Sequence, residues 1–170
     1  QVKEILTNYG PVSVLWWDTP NKMMTPERSA KLNELLKLQP GIIHNNRLGG
    51  GYKGDTETPE QHIPATGFAG RDWETCMTMG DQWAYKPGDR YKSLSQILTI
   101  LIQTVTGDGN LLLNVGPNER GQIPDEQKAL LRGMGDWLKK YGASVKLVWF
   151  PNYSDSIAAL SSGQLDANCQ

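Results

Sequence analysis

Five short apolar runs are spaced along the chain by stretches of helical period, and this alternation restricts the fold more than any other feature. The runs are SVLWWD (13–18), IIHNN (42–46), DWETCMT (72–78), LLLNVG (111–116) and SVKLVWF (144–150), each of strand length. Between the first two, TPERSAKLNELLKLQP opens with Thr25 as an N-cap and Pro26 in the first helical position. Leu32, Leu35, Leu36 and Leu38 then form an apolar stripe. Ser93–Thr106 is apolar nearly all round and is expected to be well buried, and Ile123-Pro124-Asp125 opens an amphipathic helix that reaches Tyr141-Gly142. QVKEILTNYG reads as the last two turns of a helix stopped by Gly10-Pro11, as expected of a piece of a longer protein. Helix and strand in regular alternation with short turns predict parallel βα units.

The chain of 170 residues is long enough for one domain with a real core. A complete eight-stranded βα barrel takes about 250 residues, so the expected fold is α/β, a partial barrel of about five parallel strands. An open doubly wound sheet also fits the length, but LGGGY (48–52) has neither the spacing nor the following helix of a phosphate-binding loop. A net charge of -1 with 21% charged residues gives no footprint for nucleic acid or an anionic membrane. No apolar run is long enough to span a bilayer, and the opening QVKEIL lacks the basic-then-apolar order of a signal peptide. Cys76 and Cys169 are too far apart for CxxC chemistry, and with only His44 and His62 neither a metal nor another cofactor is expected.

In parallel βα folds, function collects at the carboxyl ends of strands. Those ends supply Asp18, then Asn45-Asn46-Arg47, then Glu74 and Asn114, while Asp55, Glu57 and Glu60 lie in the long Gly-, Thr- and Pro-rich stretch from Leu48 to about Gly70. Carboxylates and amides among Trp16, Trp17, Trp73 and Trp83 are what glycoside hydrolysis requires. One carboxylate attacks or stabilises the anomeric carbon, and the other protonates the leaving oxygen. The same residues also serve blander ends. Trp17 alternates with Trp16 and is expected in the core; Arg47 either binds sugar or pairs with Asp55 on the surface. His44 reads as a packed histidine, Glu74 as structural or catalytic, and Asn114 as an organiser of strand-end hydrogen bonds. Asp18 stands apart, because a charge closing an apolar strand needs a compensating reason.

SVLWWD, NNRLGGGYKGDTETPEQHIP, WETCMTMGDQWAY and NLLLNVGPNERGQIP, taken together and in that order, resemble the second half of the catalytic domain of the α-L-fucosidases, glycoside hydrolase family 29. The resemblance covers about residues 1–142. It implies a retaining exo-glycosidase acting on a carbohydrate substrate, with periplasmic or extracellular relatives. Carried over by position, it implies Asp18 as nucleophile, Trp16 as a wall of the sugar site and Arg47 as a sugar ligand. Glu60 of TPEQ is implied as acid/base, with Glu57 second, and Trp83 as a wall of the sugar or aglycone side. The early barrel strands that grip fucose in the family, and its C-terminal sandwich, have no counterpart here. Residues 143–170 do not resemble the family; they bear a loose likeness to a βα segment of periplasmic solute-binding proteins, expected to pack on or extend the same sheet. A part-barrel exposes strand edges, so association of two or more copies is expected to complete it. Three other readings stay open: drifted specificity, such as an N-acetylhexosaminide, a folded noncatalytic sugar-binding fragment, and a transporter-type ligand-binding module.

Overall fold

The computed structural model describes residues 1–19 and 21–141, which form two compact units, one from Gln1 to Glu57 and one from Thr58 onward. In the first unit α1 (Val2–Asn8) is followed by β1 (Val14–Leu15), α2 (Pro26–Leu35) and β2 (Ile43–His44). Leu6 is the buried anchor of α1. The Gln39 side chain secures the turn between α1 and β1. Its Nε2 donates to the Leu6 and Gly10 carbonyls at 2.8 and 3.0 Å, and its Oε1 accepts from Val12 N at 2.6 Å. Carbonyls that a helix end leaves without partners are thereby satisfied. Thr25 caps α2 by accepting from Arg28 N, with Pro26 in the first turn, as the sequence predicts. β1 and β2 pair in parallel, Val14 opposite Ile43 and Leu15 opposite His44.

The ladder is shorter than the apolar runs predict, because the Asn45 side chain takes its place beside Trp17. A further segment lies parallel beyond β2, through Asp55 N to His44 O (2.7 Å) and Asn46 N to Thr56 O (3.0 Å). Part of the long loop is thus strand-like.

The second unit is built on β3 (Glu74–Thr78), α3 (Leu94–Thr106), β4 (Asn110–Asn114) and α4 (Asp125–Lys140). β3 and β4 pair in parallel over five residues, from Glu74 opposite Asn110 to Thr78 opposite Asn114. Thr75, Cys76, Met77 and Thr78 are all buried, as expected of a parallel strand covered on both faces. Ser93 and Gln96 form a reciprocal capping box that starts α3. Ile97, Ile100 and Thr104 face inward, and complete burial of Ile97 contributes about 1.5–3 kcal/mol. Contrary to the expectation of all-round burial, Ile102 and Val105 are 42% and 47% exposed. α3 packs on β4 and α4, so only one stripe of the helix is covered.

Trp73 Nε1 donates to Gly107 O at 3.0 Å. A Cβ at Gly109 would run into the indole, so this glycine lets the turn between α3 and β4 lie across the ring. No helix among the described residues is long and apolar enough to cross a membrane. SVKLVWF and the remainder of the predicted βα tail lie outside the described residues.

Candidate active site

Beyond Leu15 the main-chain ladder stops and a side chain takes it over. Asn45, 1% exposed, accepts from Trp17 N through Oδ1 at 2.7 Å and donates from Nδ2 to Trp17 O at 3.0 Å. The carboxamide thus does for Trp17 what a neighbouring peptide would do in a strand. Trp17 is buried, as predicted, and its Nε1 donates to His44 Nδ1 at 3.1 Å. His44 Nδ1 is therefore the accepting nitrogen and Nε2 carries the proton of the neutral ring. Nε2 lies 3.8 Å from Asp55 Oδ2, which also accepts from His44 N at 2.8 Å. His44 is a packed histidine, and Asp55 attends to it.

With Trp17 fastened, Asp18 extends into solvent at the carboxyl end of β1, its side chain 79% exposed. Arg47 approaches it, Nη1 to Oδ1 at 3.5 Å, while the guanidinium lies 4.6 Å from the Trp16 ring centroid. Arg47 sits in a 3-10 turn, Asn46–Leu48. Thr19 Oγ1 donates to Arg47 O at 2.5 Å, and Leu48 is fully buried beneath. An exposed ion pair is worth about 0–1 kcal/mol and a surface cation–π contact about 0.5–1, so this arrangement adds little to stability. Its consequence is geometric: carboxylate, guanidinium and indole are held together on one surface. The Trp16 Nε1 is buried with no acceptor among the described residues. On the neighbouring segment, Asn46 Nδ2 donates to Glu57 Oε2 at 2.6 Å.

In the second unit Glu60 is exposed, and its main chain bridges in parallel to Cys76 of β3. Trp83 is 41% exposed, and its carbonyl accepts from Asn114 Nδ2 at 2.8 Å, so Asn114 does organise the end of β4. Glu74 is not at a carboxyl end. It opens β3 at the amino end, where Asn110 Nδ2 donates to its Oε2 at 2.6 Å. The run DWETCMT continues past it, and β3 ends at Thr78.

Sequence reasoning gathered Trp16, Asp18 and Arg47, and the first unit brings these three together; Glu60 and Trp83 belong to the second unit. It overlooked the role of Asn45 as a fastening, and it passed over Gln61, Thr78 and Lys92 entirely. Among the described residues no three or more His, Cys, Asp or Glu side chains gather as metal ligands.

The sequence profile of the alpha-L-fucosidase family matches residues 1–143. The chain belongs to this family. Plasma alpha-L-fucosidase of Rattus norvegicus is 31% identical in an alignment 164 positions long that covers 85% of this chain and 34% of that protein. The family member thus spans about a third of the length of the curated relatives it matches. Alpha-L-fucosidase isoenzyme 1 from Paenibacillus thiaminolyticus superposes with a TM-score of 0.74 at 34% identity, covering 89% of this chain and 41% of that one. Alpha-L-fucosidase AlfC from Lactobacillus casei, solved in complex with alpha-L-fucose product, gives 0.72 at 26% identity over 83% of this chain and 44% of its own.

Proposed function

We propose that this chain is the part of a retaining exo-glycosidase that carries its reacting groups, with terminal α-L-fucosides as substrates. The observation that carries this reading is the strand-end Asp18 beside Arg47, whose guanidinium lies over the Trp16 ring, in a member of the alpha-L-fucosidase family. Asp18 attacks the anomeric carbon while Glu60 passes a proton to the glycosidic oxygen, which leaves with the aglycone. Glu60 then takes a proton from water as that water attacks the glycosyl ester, releasing sugar of retained configuration and restoring Asp18. The Arg47 guanidinium orients Asp18 and serves as a sugar ligand. Trp16 and Trp83 supply apolar faces for the sugar and aglycone.

Within this reading the parallel strands are part of a βα barrel completed by a second copy of the chain. The register partners Val14 and Ile43, 40% and 46% exposed, offer an apolar face for that association. A well-folded monomer in light scattering overturns this part.

A panel of nitrophenyl glycosides tests the chemistry. Turnover of the fucoside is expected in the parent and only background in Asp18→Ala; activity unchanged in Asp18→Ala refutes the nucleophile. A second reading, a folded noncatalytic sugar-binding fragment, predicts no turnover on any glycoside. Preference for another sugar in the same panel marks drifted specificity.

A further inference from the structure

We propose that Gln61 is a positioning residue for Glu60, holding it through an amide lock on the carboxyl end of β3. The inference rests on the reading of Glu60 as acid/base. Only two described residues other than glycine have positive φ, Gln61 at 51° and Asp108 at 59°. Asp108 lies in the turn between α3 and β4, where such backbone is ordinary for an aspartate. Glutamine has no such excuse: its long side chain gives no local relief in the left-handed region, and strain of this kind persists only where surroundings impose it.

Those surroundings are explicit. Cys76 N donates to Pro59 O at 3.1 Å, and Gln61 N donates to Cys76 O at 3.0 Å, so one residue of β3 grips the chain on both sides of Glu60. Gln61 Nε2 then donates to Thr78 Oγ1 at 2.8 Å, and Thr78 N donates to Gln61 Oε1 at 3.3 Å. Thr78 is 1% exposed, and its single hydroxyl proton goes to Gly80 O at 2.5 Å. Its lone pairs are left to receive Gln61 Nε2 and, at 3.4 Å, Lys92 Nζ. The amide therefore fits in one orientation only. Lys92 in turn donates to Thr78 O at 2.6 Å and Gly80 O at 3.4 Å, which stiffens the anchor.

Glycine or asparagine would adopt this backbone with less strain, but neither reaches Thr78 as glutamine does. The lock sets the main-chain direction of departure immediately after Glu60, and with it the position of the carboxyl.

A displaced general acid slows substrates whose leaving group needs a proton and spares those whose leaving group does not. The test compares kcat/KM of the full chain on 2,4-dinitrophenyl α-L-fucoside and on a fucosyl disaccharide, for Gln61→Gly, Thr78→Val and Glu60→Gln. Gln61→Gly accepts the left-handed backbone without strain and removes only the lock. It is expected to lose about 10- to 100-fold on the disaccharide, less than the roughly 10²–10⁴ for removing a general acid, and to stay near the parent on the activated fucoside. Thr78→Val, which keeps the volume and removes the acceptor, is expected to follow it. Equal losses on both substrates, or none on either, overturn the lock as a positioning device. A steep leaving-group dependence in Glu60→Gln with a flat one in Gln61→Gly overturns the lock alone; a flat one in Glu60→Gln overturns the acid/base reading as well. The carbon-13 resonance of the Glu60 carboxyl reads the same geometry without turnover. It is expected to shift in folded Gln61→Gly, and an unmoved resonance overturns the proposal.

Discussion

Replacing Asn45 tests whether a single side-chain amide fastens the end of β1. Asn45→Ala removes both hydrogen bonds to Trp17 and leaves a main-chain N–H and C=O without partners in a buried site. Each such group costs about 1–3 kcal/mol, so the pair costs about 2–6 kcal/mol, a large part of the roughly 5–15 that holds a domain together. At about 2–4 °C per kcal/mol for a chain of this size, the melting temperature should fall by about 10 °C. Asn45→Leu separates hydrogen bonding from volume. It refills the space with apolar atoms and excludes the water that could enter beside alanine and partner Trp17. The hydrogen-bond account therefore expects Leu to be at least as damaging as Ala, whereas a packing account expects Leu to recover most of the loss. Differential scanning calorimetry on the two variants decides between them. An Asn45→Leu protein melting close to the parent refutes the fastening.

Gly54→Ala should be among the most damaging single-methyl additions in the first unit. Its φ is +60°, and the new Cβ would drive into the main-chain carbonyls of Asn45 and His44; a melting temperature within about 2 °C of the parent, less than 1 kcal/mol, contradicts this. At the start of α4, the hydrogen bond and charge of Lys128, with Arg132 adding, hold the Asp125 carboxyl below its ordinary value of 3.8. A carboxyl lowered on folding adds stability above its unfolded pKa and loses it as pH falls through the folded value. Asp125→Asn should therefore melt lower than the parent at pH 7, with the gap closing in acid. Because the carboxyl is fully exposed, the gap should also shrink in high salt.

What could be read in the sequence was whatever local chemistry dictates. Thr25-Pro26 and SLSQ announce the starts of α2 and α3 because caps are satisfied by neighbours a few residues away. The parallel pairing followed from the rhythm of helices and strands. Strand length did not, because β1 ends where Asn45, 28 residues from Trp17 in sequence, supplies the hydrogen bonds, and a partner so distant leaves no local signature. Glu74 was assigned to the wrong end of its strand because the buried run beyond it, TCMT, contains two threonines that the parallel sheet covers on both faces. Asp18, Trp16 and Arg47 were legible as a cluster following the first two strands, and the first unit does bring them together. Gln61 was not, since its meaning lies in a backbone angle that residue type argues against. The adjacent pair Asn45-Asn46 after an apolar run was the available clue to the fastening: each amide serves a different partner, Trp17 and Glu57.

A strand held by main-chain ladder bonds transmits any insertion along its length, because a shift of one residue turns every side chain to the opposite face. Asn45 ends that obligation at Leu15. Past Thr19, whose hydroxyl is held by the Arg47 carbonyl, residues 21–25 pair with no strand among the described residues, and their number can change without rotating the carboxylate. The loop after the strand can thus be remodelled while Asp18 stays fixed from behind by one buried amide.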